Sequence, residues 1–408
     1  MGGYPPFFLA QNNRDKSQES LYRTQPNDRT TVKFSDIPGH NQIKKDLHTL
    51  VDTGHVPHAL MLSGPAGTGK LMLARAYAQY LHCESPEGGE PCGKCRNCRL
   101  HQELNHPDLH FVFPIVKSEK LKYLVSADRI EPWRRMITDY PTMPEEKWLE
   151  LLEAGNSQIS IFVNESEDIV YADSFPPYTS RYKIFLIWQP EKMRIEAANK
   201  LLKVLEEPSE GTIFILVSDN ELQVLPTIFS RVQRFKVGRL SDQEIGEYLA
   251  AKFRLSPEDA ARYAPLCNGS LIAADEYGDN DGENEQFLVL YQEVMRMAYA
   301  KKVAKLKDIA EQVAGFGREK IRRFLSYISR MVRENFIYNM KIASLTAMTP
   351  EEENFSQRFS PFINYHNVED FAAETDRARR DVERNANSRL VLFDYFLYCI
   401  ILLHRKAT

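Results

Sequence analysis

The sequence predicts an α/β domain, a parallel sheet with helices on both faces, followed by helical domains to the end of the chain. Three observations carry this expectation. Short apolar runs alternate with amphipathic stretches from Phe34 to about Val237. One of those runs leads into a glycine-rich turn whose lysine opens a helix. After Gly238 the hydrophobic spacing becomes helical. A length of 408 residues suffices for two or three domains that each bury a core. With 43% hydrophobic and 26% charged residues the chain is neither disordered nor collagen-like. Its net charge of −4, from 52 Lys and Arg against 56 Asp and Glu, excludes a protein that coats nucleic acid through its overall field. Any DNA contact must be local or shared with partners.

Residues 1–32 read as an N-terminal extension, partly disordered. Beyond the patch Tyr4-Pro5-Pro6-Phe7-Phe8-Leu9 they are polar, without the basic-then-apolar order of a signal peptide. The α/β domain is placed at 33–238, with strands at Ala59 to Leu62, Leu109 to Phe113, Ile184 to Trp188, Ile213 to Val217 and near Phe235. Each is rich in β-branched, aromatic or long apolar residues between polar or turn signals, as buried strands are. The segment of about 115–180 reads as a folded insertion, because structureless loops of that length are uncommon. It carries a helix around Glu145 to Ala154 and a strand around Gln158 to Val163. Ser241-Asp242-Gln243-Glu244 is a capping box, and Ser256-Pro257-Glu258-Asp259 opens a second helix. These predict a small helical lid domain at 239–280. Gly278 to Asn284 has linker composition, and 281–408 reads as an all-helical domain. Leu390 to Leu403 is apolar but interrupted by Asp394, and it is shorter than the roughly 20 residues a spanning helix needs. A buried helix is expected, with no membrane partner. The expected compartment is the cytoplasm, where clustered thiols hold metal more often than disulfides.

Gly64-Pro65-Ala66-Gly67-Thr68-Gly69-Lys70 follows the first strand and opens the helical run Leu71 to Leu81. Such a turn aims backbone N–H groups at a polyphosphate, the helix adds its positive end, and Lys70 adds a point charge. Gly64, Gly67, Thr68, Gly69 and Lys70 are therefore the candidate phosphate-binding residues. The next position should offer a hydroxyl to Mg²⁺, and it is Leu71. The acids that hold Mg²⁺ and polarise water should end a later strand, where Trp188 and Gln189 stand instead. Glu191 lies past the strand and a proline, so it reads as a helix-start carboxylate. The expected result is a nucleotide fold without hydrolysis.

Cys83, Cys92, Cys95 and Cys98 are spaced C-x8-C-x2-C-x2-C. Four thiolates complete the closed tetrahedral set that structural Zn²⁺ prefers. A redox Cys-x-x-Cys pair is the alternative. His82 and His101 flank the cluster and are expected at the surface or as supporting groups. Cys267 and Cys399 read as buried core thiols.

At this point the chain resembles the AAA+ clamp-loader family of bacterial DNA polymerase III, most closely its delta-prime type. The resemblance rests on Phe34-Ser35-Asp36-Ile37-Pro38-Gly39-His40, on His58-Ala59-Leu60-Met61-Leu62-Ser63-Gly64-Pro65 and on the cysteine module directly after the first helix of the domain. His106-Pro107-Asp108-Leu109 and Glu191-Lys192-Met193 add to it. The most distinctive stretches are Ala197-Ala198-Asn199-Lys200-Leu201-Leu202-Lys203-Val204-Leu205-Glu206-Glu207-Pro208 and Pro226-Thr227-Ile228-Phe229-Ser230-Arg231. It covers residues 33 to 275. It implies an α/β P-loop AAA+ domain, a helical lid and a helical collar. It also implies a five-subunit ring with gamma/tau and delta subunits that places a sliding clamp on primed DNA. In such rings a Ser-Arg-Cys motif sends an arginine into the neighbour's ATP site, where it meets developing charge on the γ phosphate. Here the motif reads Ser230-Arg231-Val232, so Arg231 is the candidate finger; without the resemblance it would be one more surface arginine. Ser218 replaces a polar sensor weakly. Gly269-Ser270-Leu271-Ile272 matches a second sensor motif whose arginine is replaced by Ile272.

The expected function is thus a delta-prime-like subunit with structural Zn²⁺, with ATP or ADP held without hydrolysis if at all, and with no ATPase activity by itself. The alternative is an ATP-hydrolysing gamma/tau-type subunit. A stand-alone zinc DNA-binding module is disfavoured by the net charge and by the lack of a base-reading helix or stacking platform. The basic runs Lys301-Lys302, Arg322-Arg323 and Arg377 to Arg384 read as solvated helix faces.

Overall fold

The computed structural model describes residues 32–117, 124–154, 157–279, 283–342, 346–384 and 386–405. The expected extension lies outside them except for Val32, as do residues 280–282 of the expected linker. The described chain divides into two compact units. Residues up to 64, with 69–154 and 159–237, form the first; 65–68, 157–158 and the residues from 238 onward form the second.

The first unit is built on a five-stranded parallel sheet. Its strands are β1 (Ala59–Ser63), β2 (Leu109–Val112), β5 (Lys183–Trp188), β6 (Thr212–Ser218) and β7 (Gln233–Lys236), in the order β2-β5-β6-β1-β7. Every pairing is parallel, with Ala59 opposite Phe214 and Ile184 opposite Ile213. The three inner strands are buried at every residue, which is why they read as continuous apolar runs rather than alternating ones. All five strands expected from the sequence are present within a residue of their expected bounds. The helix expected from Leu71 begins one residue earlier, at Lys70–His82, and all but one of its residues are buried.

The described residues of 115–154 and 159–180 belong to this same unit and contribute to its core. β3 (Ile115–Val116) and β4 (Ile159–Ser160) form a two-stranded antiparallel sheet, shorter than the strand expected around Gln158 to Val163. Ile161 leaves that ladder to exchange backbone hydrogen bonds with Lys192 and Arg194 instead. Helices Ile130–Asp139 and Glu145–Leu151 bury Trp133 and Trp148. These stack with Phe113 and Trp188 at centroid distances of 4.2 to 6.4 Å, and Trp148 Nε1 donates to the Pro114 carbonyl at 2.8 Å.

In the second unit the capping box forms as expected: Glu244 N–H donates to Ser241 Oγ and Ser241 N–H to Glu244 Oε2. Helices Asp242–Phe253, Pro257–Tyr263 and Leu271–Asp279 close over a small core that includes Leu240, Ile245, Leu249 and Cys267. A separate core joins helices Glu283–Tyr299, Val303–Ala314, Arg318–Asn339, Pro350–Phe359, Val368–Glu383 and Ser388–Leu403. The last of these buries Leu392, Tyr395, Phe396 and Cys399, while Asp394 pairs with Arg377 at 2.7 Å. Among the described residues no helix is long and apolar enough to cross a membrane.

Candidate phosphate, metal and arginine sites

The turn after β1 has the backbone that a phosphate loop requires. Gly64 N–H donates to the Ser218 carbonyl at 3.2 Å, and a Cβ at Gly64 would lie 1.9 Å from the Val237 carbonyl oxygen, so no side chain fits there. Gly67 and Gly69 take positive φ of 78° and 80°, which only glycine adopts at little cost. Within the first unit Lys70 is buried, and its Nζ lies 2.8 Å from Asp219 Oδ1. Within the second unit Leu271 N–H donates to the Gly67 carbonyl at 2.7 Å, and Thr68 Oγ1 donates to Pro65 at 3.1 Å. Ile272 Cγ1 would be 3.3 Å from a Cβ at Gly67. Ile272 thus lies against Gly67.

The positions that should hold Mg²⁺ are filled by packing groups. Leu71 is buried in the apolar core of the first unit, and Trp188 sits in the tryptophan cluster. Gln189, at φ 54°, is buried and donates from Nε2 to Glu145 Oε2 at 2.6 Å. Glu191 does stand in the first turn of a short helix, Pro190–Lys192, as expected. It also accepts the Asp219 N–H at 2.9 Å, and burial raises its pKa, with the Asp219 charge adding to the effect. Glu191 and Asp219 therefore gather near Lys70. Asp219, one residue past the buried strand β6 and beside Ser218, is not among the residues expected from the sequence; an acid just past a buried strand is the signal that points to it.

The four cysteines converge. Cys83 follows the helix Lys70–His82, Cys95 caps the helix Arg96–Gln102, and Cys98 lies within it. Their Sγ atoms all lie within 4.8 Å of one another and none is in a disulfide. Cys92 Sγ and Cys98 Sγ are 3.9 Å apart, close to the roughly 3.8 Å edge of a tetrahedron with metal–sulfur bonds of about 2.3 Å. Backbone N–H groups of Cys92, Cys95 and Cys98 donate to the sulfurs of Cys83, Cys92 and Cys95 at 3.2 to 3.4 Å. Such donors favour thiolate over thiol, while burial outweighs them at Cys83 and Cys98, whose pKa values are raised. At Cys92 burial works the other way, yet the N–H groups of Lys94 and Cys95 outweigh it and bring the pKa down to about 7. The donor set fits a zinc-class ion.

Of the two expectations for the flanking histidines, the surface position is not met. His82 and His101 are not at the surface: both are buried, and they stack with a third buried ring, His106. Their separation in sequence follows no ligand spacing, which is why the cluster was not legible.

Arg231 follows the short helix Pro226–Phe229. Its Nε donates to Glu206 Oε1 and its Nη1 to the Thr227 carbonyl, each at 2.7 Å, and its Nη2 also reaches Glu206. Val232, in place of the cysteine, is buried.

The model of the family described as "DNA polymerase III, delta subunit" matches residues 39–241. The chain is 29% identical over 241 residues to the delta' subunit of DNA polymerase III from Bacillus subtilis (strain 168), covering 59% of each protein. It is 29% identical over 229 residues to the tau subunit of the same organism, covering 56% of this chain and 32% of that one. The Pseudomonas aeruginosa delta' subunit is 32% identical over 177 residues, 43% of this chain and 41% of its own length. The chain thus spans from about a quarter to about three fifths of the length of the curated relatives it matches. The matched stretch begins ahead of β1 and contains the phosphate loop, the cysteine cluster, Arg231 and the whole parallel sheet. Over residues 39–241 the chain belongs to the AAA+ clamp-loader family of DNA polymerase III.

Proposed function

We propose that this chain is a delta-prime-type clamp-loader subunit that does not hydrolyse ATP by itself. It would join gamma/tau and delta subunits in a ring that loads a sliding clamp onto primed DNA. The observation that carries this reading is the filling of the magnesium site. Leu71 is packed in the core, and Trp188 and Gln189 are buried by aromatic and carboxylate neighbours. Phosphoryl transfer depends on a hydroxyl and acids at those places to hold the metal and orient water, and no rotamer of Leu or Trp supplies either. ATP or ADP held without hydrolysis remains compatible with the glycine turn, provided Lys70 exchanges Asp219 for a phosphate.

In this reading Arg231 acts on a neighbouring subunit's ATP site. The fork would leave Glu206 to meet the γ phosphate, exchanging one anionic partner for another. Zn²⁺ would be held by Cys83, Cys92, Cys95 and Cys98 and would supply a structural cross-link between the end of one helix and the start of the next. The gamma/tau reading has one observation in its favour: the glycine turn and buried Lys70 keep the phosphate-loop form.

The test is an ATPase assay on the purified chain alone and with a gamma/tau subunit. The chain alone should show no turnover above background. The complex should turn over, and Arg231→Ala in this chain should lower that rate at least roughly tenfold, fingers of this kind being worth about 10³ or more. Turnover by the isolated chain that is abolished by Lys70→Ala would overturn the reading in favour of gamma/tau.

A further inference from the structure

Behind the four-cysteine cluster lies a second group of metal-ligating side chains that the proposed ring function does not use. His82 ends the helix Lys70–His82, His101 lies on the helix Arg96–Gln102, and His106 precedes β2. Their exposures are 3, 5 and 4%. One ring nitrogen of each lies within 4.8 Å of the others. His82 Nδ1 is 2.9 Å from His101 Nε2, and the rings of His82 and His106 are 4.2 Å apart.

Hydrogen bonding within the cluster leaves it incomplete. Between two neutral rings only one of the facing nitrogens carries the proton, so His82 presents either a bare or a protonated Nε2 on its other side. That Nε2 is buried and makes no hydrogen bond of ordinary geometry. An unmatched buried polar atom is costly, and it is rare enough to ask for a cause. With an ion on the lone pair of Nδ1 the ring proton is fixed on Nε2, and the Tyr182 backbone hydrogen-bonds this ring, the kind of outer partner that ligating histidines commonly have. His106 Nδ1 accepts the Asp108 N–H at 3.1 Å and its Nε2 lies 3.2 Å from Ser180 Oγ, so ligation through Nε2 requires the ring to give up the Asp108 N–H and carry its proton on Nδ1.

The scaffold is already braced. His82 is bonded to Cys83, and Cys98 and His101 share one face of a helix at a spacing of three. Asn97 Nδ2 holds the His82 carbonyl at 2.9 Å. Whatever orders the cysteines therefore also positions two of the three rings. Nitrogens around a tetrahedral ion with bonds of about 2.0 Å are roughly 3.3 Å apart, so small ring rotations suffice. Of the neighbouring charges, Asp108 favours a cation and the buried Arg75 opposes it.

We propose that His82, His101 and His106 bind a second divalent ion of the zinc class, one nitrogen from each ring, beside the cysteine site. The proposal does not depend on the clamp-loader role. The probe is Co²⁺. The full-length protein is equilibrated with Co²⁺ and freed of excess; total cobalt is measured by elemental analysis, and thiolate-bound cobalt by its sulfur-to-metal charge-transfer absorption. Two cobalt ions per chain are expected, one with the thiolate signature and one without. His101→Gln and, separately, His106→Gln should each lower the total from two to one while leaving the thiolate absorption intact, which also reports that the module still folds. Wild-type protein whose total cobalt does not exceed its thiolate-bound cobalt would overturn the proposal, with no variant needed. A second cobalt retained by both histidine variants would overturn it as well.

Discussion

Replacing Glu165 by Gln should remove a specific step from the pH dependence of stability. Glu165 lies on the helix Val163–Asp173 and is buried, and its Oε2 accepts the Ser126 N–H at 2.6 Å. Burial pushes its pKa from 4.5 up to about 7, outweighing the opposing pull of the Ser126 hydrogen bonds, and Asp168 and Asp128 add smaller upward contributions. Below pH 4.5 the carboxyl is protonated whether the chain is folded or not, and it costs nothing. As pH rises from 4.5 toward 7 the unfolded chain releases the proton first. The folded chain then binds more protons, so stability falls with pH and the loss is complete above 7. A shift of about 2.5 units at 1.36 kcal/mol each amounts to about 3 kcal/mol. Gln keeps an acceptor for Ser126 and has no proton to lose. The Glu165→Gln protein should therefore gain about 3 kcal/mol on wild type between pH 4.5 and pH 8. Urea unfolding followed by tryptophan fluorescence reads this domain alone, because the chain's three tryptophans all lie in its core. With urea slopes of about 1–3 kcal/mol per M, the relative midpoint should move by roughly 1–3 M. A gap between the two proteins that stays constant from pH 4.5 to pH 8 would refute the assignment of this step to Glu165.

Asp108→Ala should destabilise the same domain by about 2–4 kcal/mol in that assay, since the carboxylate accepts the N–H groups of Tyr178, Thr179 and Ser180 and each would be stranded. In the helical unit Glu352 is buried against Arg330 and Tyr327; Glu352→Ala leaves the Arg330 guanidinium without that partner and should cost about 3–5 kcal/mol by circular dichroism melts. Cys95→Ser should abolish the thiolate–cobalt absorption, and chelation of metal from the wild type should expose the Cys83 to Cys98 segment to hydrogen exchange while the sheet stays protected. Unchanged exchange in that segment would argue against a structural ion there.

Much of the parallel sheet could be read from composition because its inner strands are buried on both faces, so each is a continuous apolar run bounded by turn residues. The glycine turn and the cysteine spacing were legible for a similar reason, since their chemistry is fixed by residues within a few positions of one another. The segment 115–180 was less so. Trp133 and Trp148 look like ordinary amphipathic-helix residues until they meet Trp188 across the core, and the strand near Ile159 is short because Ile161 pairs with a different element.

Backbone periodicity and short motifs are local properties, and they settle which elements form, where the phosphate loop lies and which thiols gather. Charge pairing and ring packing are not local. Asp219 reaches Lys70 from 149 positions away, Glu206 holds Arg231 across two helices, and three histidines with no ligand spacing stack in one buried place. Each of these depends on which strand ends and helix ends the sheet order brings side by side, and packing alone sets that.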